Sequence, residues 1–470
     1  MSILTPPFSA CSSGSSNERL PALLIVATEG PPFPCRCSAT LTRSRAQPLA
    51  VRSLGAATRR QPAEDGTGPG RAPRERPRRI AELFDAKSHE PLAETPWSEA
   101  KARAAIDAIV AEAEDAFDER TLWPAHPLDD EVRADEAFTL YIGASGVIWA
   151  LAELERLGAA TRRRAWAPTA AGLYERYLAA VEVGPAPSLF AGESGILLLA
   201  HRFAPDAAQE DRLLASIRSN ADNPFRELMW GSPGTLLAAQ VMYERTGAER
   251  WAEAWRDSAD RLWDEWRDEL WLQDLYGRPV HVLGPAHGFV GNVHALARGH
   301  LLDEQRRSEL ERRAVAVAAR YAQRHDGLAQ WPPSLEPSGS PEIRTQWCHG
   351  APGIVASLAP LAPHDGQLTE LLLAGGALVW RAGPLVKGPG LCHGTAGNGY
   401  AFLKLFERTG DELWLDRARA FAMHAAAQVD RMRSKYGRGR YTLWTGDLGV
   451  ALYLQSCIEA DAAMPTLDRL

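Results

Sequence analysis

Several absences bound what this chain can be. No apolar run approaches the ~18 residues of a membrane helix; the longest early run, Leu23 to Ala27, is far shorter. Six cysteines in 470 residues do not make a disulfide framework. β-branched runs of period two are scarce, which argues against a sheet fold. An excess of positive charge is also missing: 52 basic against 59 acidic residues leave −7, so a nucleic-acid partner has no bulk electrostatic support. What remains is an ordinary globular composition, 45% hydrophobic and 24% charged.

The first 80 residues differ from the rest. They hold 12 arginines, no lysine, five acidic residues and 11 of the 33 prolines. With no amphipathic period, such a segment cannot bury enough surface to offset its ordering entropy. It lacks the basic start, apolar core and small-residue cleavage site of a secretory signal, so the expected location is the cytoplasm. Its Cys11, Cys35 and Cys37 are too weakly patterned to read as a metal cluster. The expectation for residues 1–79 is a disordered tail or an upstream extension from a misassigned start, with one ordered domain over 80–470.

Beyond residue 130 the chain repeats itself. Seven Gly-x-x-Gly units share a frame: YIGASGVIWAL, LFAGESGILLL, MWGSPGTLLAA, AHGFVGNVHAL, CHGAPGIVASL, CHGTAGNGYAF and WTGDLGVALYL. Their first glycines are Gly143, Gly192, Gly231, Gly288, Gly350, Gly394 and Gly446, at intervals of 49, 39, 57, 62, 44 and 52 residues. Such intervals accommodate two helices per repeat. Val147, Leu151, Leu154 and Leu157 mark one apolar helical face after the first motif. Gly158, Gly247 and Gly410 stand where helices would end in left-handed caps. The sequence thus predicts an all-α stack of seven helical hairpins, either an open solenoid or a closed α/α toroid. In a closed ring the motifs precede the inner helices and gather at one mouth.

Around that ring, the residue before the first glycine is Ile142, Ala191, Trp230, His287, His349, His393 and Thr445. One position earlier stand Tyr141, Phe190, Met229, Ala286, Cys348, Cys392 and Trp444. Three histidines and two cysteines therefore fall at equivalent places in three consecutive repeats. Thiolates and imidazoles converging on one spot are the donor set of zinc.

From about residue 80 onward the chain resembles the lanthionine synthetase C-like (LanC-like) proteins, through AHGFVGN, WCHGAPGI, LCHGTAGNGYAFLKLF and LWTGDLGVALYL in that order. The resemblance implies a seven-hairpin (α/α)7 toroid with a catalytic zinc held by Cys348, Cys392 and His393. It implies that His287 sits beside the metal as an acid–base group, that Arg344 belongs to the site, and that His349 is an active-site neighbour. The implied activity is addition of a thiol, from a peptide cysteine or from glutathione, to dehydroalanine or dehydrobutyrine in a dehydrated peptide or protein, giving a thioether. The alternative is a zinc-containing protein that binds glutathione or peptide without turnover.

Three protein ligands suit this chemistry, because a fourth would close the metal into a structural site. Helix N-termini at the motifs are expected to aim backbone N–H groups and dipoles at the mouth. One departure stands out. Lantibiotic cyclases carry an aspartate shortly before the second motif, where this chain offers Ser188; Asp135 and Glu193 are near in sequence but match no motif. A glycosidase on an α/α ring would need paired carboxylates at the cleft, and no motif supplies them.

Overall fold

The computed structural model describes residues 83–129, 133–275, 277–336 and 343–470. The expectations for residues 1–79, with Cys11, Cys35 and Cys37, lie outside the described residues. Among the described residues there are fourteen α-helices and two short antiparallel hairpins.

Seven helices follow the seven motifs: α2 (Ala144–Arg156), α4 (Glu193–Phe203), α6 (Ser232–Thr246), α8 (Phe289–Ala297), α10 (Ala351–Leu358), α12 (Thr395–Thr409) and α14 (Asp447–Glu459). Each packs against the next, and α14 returns to α2, so the solenoid closes into a ring. Every residue of α10 is buried, as an element apolar on all sides requires. The alternate helices lie outside: α1 (Glu99–Asp115), α3 (Ala167–Ala180), α5 (Ala207–Asn220), α7 (Glu249–Glu265), α9 (Glu304–Tyr321), α11 (Gly366–Ala382) and α13 (Glu412–Tyr436). These bury a single stripe; α9, for example, buries only Leu310, Ala314, Val317 and Ala318. Asp206, Asp303, Asp365 and Asp411 start α5, α9, α11 and α13, their carboxylates accepting first-turn N–H groups. Gly158, Gly247 and Gly410 have positive φ, and Gly247 and Gly410 cap α6 and α12 from the left-handed region.

Among the described residues no outer helix follows the seventh motif. Its helix α14 pairs instead with α1, which precedes the first motif, so the two ends of the described chain complete the last hairpin together.

The glycines of the motif are required by contact rather than by φ, with Gly350 alone at a positive φ of 93°. The chain enters each inner helix through a tight loop that folds back on itself. At all seven second glycines a Cβ would fall well inside 3.0 Å of the carbonyl oxygen six residues earlier, as with Gly353 against Trp347 and Gly397 against Leu391. Six of the first glycines face the same obstruction, Gly143 being the exception. The loops also satisfy helix starts: Glu193, Phe289, Thr395 and Asp447 donate their N–H groups to the carbonyls of Ala186, Val282, Gly388 and Arg440, seven residues back. At these four helices the first N–H is therefore taken up within the loop.

A belt of backbone hydrogen bonds joins the position two before the first glycine from repeat to repeat. Tyr141 N donates to Phe190 O at 2.9 Å, Trp444 N to Tyr141 O at 3.2 Å, Cys392 N to Trp444 O at 2.9 Å, and Cys348 N to Cys392 O at 3.1 Å. Inside the belt, Trp444 packs against Tyr141, Phe190 and Trp347 with ring centroids 4.6–6.1 Å apart.

The C-terminal residues fold back into the ring. Asp468 pairs with Lys404 Nζ at 3.1 Å and lies 3.4 Å from His294 Nε2, while Thr466 Oγ1 accepts from Trp444 Nε1 at 3.1 Å. The long intervals before the fourth and fifth motifs hold the hairpins β1 (Gln273–Leu275)/β2 (Arg278–Val280) and β3 (Gln323–His325)/β4 (Leu328–Gln330). Sequence patterning suggests only loops there, since three-residue strands are too short to show a period.

Candidate metal centre and its surroundings

The belt delivers the cysteines. Because Cys348 and Cys392 occupy the same place in adjacent repeats and share a backbone hydrogen bond, their side chains start from neighbouring points on one rim. The residue after Cys392 in the sixth motif, His393, completes the group: one ligand atom from each of Cys348, Cys392 and His393 lies within 4.8 Å of the other two. A tetrahedral ion with metal–sulfur bonds near 2.3 Å and metal–nitrogen bonds near 2.0 Å needs donors about 3.5–3.8 Å apart. The group fits that requirement with little adjustment, and its two thiols and one imidazole suit a borderline-soft cation.

Electrostatics favour the ligand state of the sulfur. Burial pushes the Cys348 thiol up, but its hydrogen bonds with Cys392 and His393 and the neighbouring His349 and His393 rings outweigh it. The net displacement is well below the ordinary thiol value. Burial lowers His393, opposed by its hydrogen bond to Cys348. A neutral imidazole beside a thiolate is the state in which both bind a cation.

His287 stands at the same rim, one repeat before Cys348. Its Nδ1 lies 2.9 Å from Glu227 Oε2. Glu227 is fully buried, and its carboxylate also accepts Met229 N at 2.8 Å and Trp230 N at 2.6 Å. The side-chain amide of Gln273 donates to the His287 carbonyl. Trp230 stacks on the imidazole, with centroids 5.0 Å apart at 24°. The loop bearing Glu227 is itself tied down by Asn292 Nδ2, which donates to Arg226 O at 2.8 Å; Asn398 makes the equivalent bond to Thr345 O at 2.9 Å, fixing the loop before Cys348.

His349 lies beside His287, ring centroids 6.0 Å apart. Burial drives its pKa down to about 4, with the positive charges of His287, Arg344 and Lys387 adding to the effect and the Cys348 thiolate opposing it. It is therefore neutral at physiological pH. Arg344 is half-buried and near enough for its charge to act on His349. All six residues singled out in the sequence thus converge on one region.

Two further residues there carry no motif. Lys387, exposed in the loop before Cys392, acts electrostatically on both His349 and His393. Glu227 supplies the carboxylate that the motifs lack; the available signal is its position four residues before Gly231, in the repeat preceding that of His287. The other acids near the motifs are engaged elsewhere. Glu193 binds Tyr174 and Arg212, and Asp135 pairs with Arg133. Ser188 is a structural tie, donating to Met229 O at 2.5 Å and accepting Ala191 N at 2.8 Å.

Fold and site together define a closed α/α toroid with a Cys-Cys-His group at the mouth where its inner helices begin. The chain belongs to the lanthionine synthetase C-like protein family, whose model matches residues 134–468. It is 33% identical to LanC-like protein GCL1 of Arabidopsis thaliana over 192 residues, 39% of this chain and 42% of the relative. It is 43% identical to glutathione S-transferase LANCL1 of Danio rerio over 83 residues, 17% of this chain and 20% of the relative. The matched stretches thus span less than half the length of these curated relatives. Among solved structures, nisin cyclase superposes with a TM-score of 0.50 at 16% identity, covering 77% of this chain and all of the cyclase, a likeness of fold. No helix among the described residues is long and apolar enough to cross a membrane.

Proposed function

We propose that the protein adds a thiol to dehydroalanine or dehydrobutyrine residues of a peptide or protein, forming a thioether, with zinc held by Cys348, Cys392 and His393. The observation that carries this reading is the pairing of that ligand group with a carboxylate-anchored histidine, His287–Glu227, on one rim. Held by these three residues, zinc would let a substrate thiol release its proton to solvent near neutral pH.

The remaining chemistry falls to side chains. The thiolate sulfur bonds to the β-carbon, the π pair moves to the α-carbon, and the resulting enolate must be protonated. His287 delivers that proton from Nε2. Glu227 holds the Nδ1 proton, orients the ring and stabilises the imidazolium before transfer. Trp230 backs the ring and excludes water from one face. Arg344 and Lys387 place positive charge where the enolate or a substrate carboxylate accumulates negative charge. His349, neutral at physiological pH, serves as a spacer and hydrogen-bonding group rather than a second acid.

Glutathione is the thiol donor we favour, because the sequence-level likeness extends to a relative named as a glutathione S-transferase, whereas the likeness to a cyclase is one of fold. The test is mass spectrometry of a dehydroalanine peptide incubated with the zinc-loaded protein. A mass gain of one glutathione, dependent on enzyme, is expected. Thioether formation only in peptides with their own cysteine would replace glutathione with an intramolecular donor, and no product in either case would leave a binding protein.

A further inference from the structure

The tripeptide before His349 contains a device that metal ligation alone does not require. Gln346 N donates to His349 O and His349 N to Gln346 O, both at 3.0 Å, closing a tight turn with Trp347 and Cys348 at its tip. This turn brings the Gln346 side chain over the sulfur two residues ahead: Nε2 lies 3.0 Å from Cys348 Sγ. Both groups are buried, Gln346 at 6% exposure and Cys348 at 4%. A thiolate only accepts, so the amide must present its NH2 and not its oxygen.

That contact addresses a problem set by the proposed reaction. A metal carrying two protein thiolates and one substrate thiolate would present three sulfurs to an electrophilic alkene, and only one of them should react. A hydrogen bond to a thiolate withdraws charge from the sulfur and fixes its direction, which strengthens its role as ligand and weakens it as nucleophile. Resting on the zinc-dependent thiol-addition reading, we propose that Gln346 is a positioning residue that protects Cys348 from self-alkylation by the dehydroamino acid. The side reaction it suppresses is a conjugate addition: a bond forms between Cys348 Sγ and the β-carbon, the π pair moves to the α-carbon, and a proton completes that carbon. The product is enzyme heavier by the whole acceptor peptide, with nothing released.

The test uses the full-length, zinc-loaded protein and Gln346→Met, which keeps the length of the side chain and removes the donor. Each is incubated with a dehydroalanine peptide and no added thiol. Zinc content is measured, and adducts are located by tandem mass spectrometry. The expected result is near-stoichiometric zinc in both proteins and Cys348 adduct accumulating about tenfold or more faster in the variant. The Cys392 rate should not change, whereas general loosening of the site would raise both. Gln346→His, whose ring N–H can donate, should restore protection. If Met packs badly and zinc is lost, Gln346→Leu is read in its place. Bound zinc with Cys348 modified at the wild-type rate in the donorless variant overturns the proposal. Failure of the wild-type protein to bind zinc overturns the metal reading itself, so the two failures are told apart by the zinc measurement.

Discussion

His287 and Glu227 are 60 residues apart in the chain and 2.9 Å apart in the fold, and the carboxylate is sealed from solvent. A buried carboxylate that accepts two backbone N–H groups and one imidazole N–H is fixed in place. It raises the cost of any state in which His287 Nδ1 lacks its proton. Glu227→Gln removes the anion that supports imidazolium, and its NH2 must oppose either Met229 N and His287 Nδ1 or Trp230 N, so the anchoring is broken in either orientation. The expected outcome is a rate of thioether formation lower by about 10²–10⁴-fold with zinc retained. Loss of the anion also destabilises the charged ring, so the alkaline limb of the pH–rate profile should move to lower pH. An unchanged profile would remove Glu227 from the proton pathway.

His287 itself separates ligation from proton transfer. If Cys348, Cys392 and His393 complete the protein donor set, His287→Asn should keep about one equivalent of zinc and lose about 10²–10⁴-fold in rate. Metal loss in this variant would mean a closed four-ligand site, which could not accept a substrate thiol.

The cysteines should behave in the opposite way. Cys348→Ala or Cys392→Ala leaves one thiolate and one imidazole, and zinc should fall below detection by elemental analysis after dialysis. Either variant retaining full metal would refute the ligand group.

Much of this is legible in the sequence because the repeat encodes it. Seven aligned glycines set the hairpin count, and alignment of Cys348 with Cys392 and of His287, His349 and His393 marks the mouth. The partner of α14 is not legible: α1 carries no motif and precedes the first repeat, so only ring closure pairs the two. Glu227 escapes for a related reason. A carboxylate four residues before a glycine looks like any loop acid until the next repeat is folded beside it. Nor is the capture of the first N–H of four inner helices legible, because the loop carbonyls that accept them belong to residues with no distinguishing side chain.

Two glycines offer a paired test of the packing argument. In Gly353→Ala the new methyl would overlap the Trp347 carbonyl and fall 2.6 Å from Pro285 Cδ. Since both obstacles are rigid, we expect several kcal/mol of destabilisation, comparable to severe overpacking. Gly172 lies within the outer helix α3, and a methyl group there would meet nothing within 4 Å. Gly172→Ala should therefore stabilise by about 0.5–1 kcal/mol through helix propensity and the unfolded state. Denaturant melts of the two variants should move in opposite directions.

The last prediction concerns Asp447, the first residue of α14. Its burial raises the carboxyl to about 7, opposed by the Arg440 backbone N–H, which donates to Oδ2 at 3.0 Å, and by the charge of Arg433. The charges facing it are Glu112, Arg433 and Arg440. Because the folded state holds this proton more tightly than the unfolded chain does, folding binds protons between about pH 4 and 7, and stability falls as pH rises through that window. Above it the native protein bears the full cost of a buried carboxylate. Asp447→Asn retains an acceptor oxygen for Arg440 N and removes the charge. Its melting temperature should exceed that of the parent at about pH 8, and the advantage should shrink steadily on lowering the pH to about 5. Thermal melts of both proteins across that range provide the check. A difference independent of pH would mean that Asp447 is ionised throughout, its charge balanced by Arg433 and Arg440.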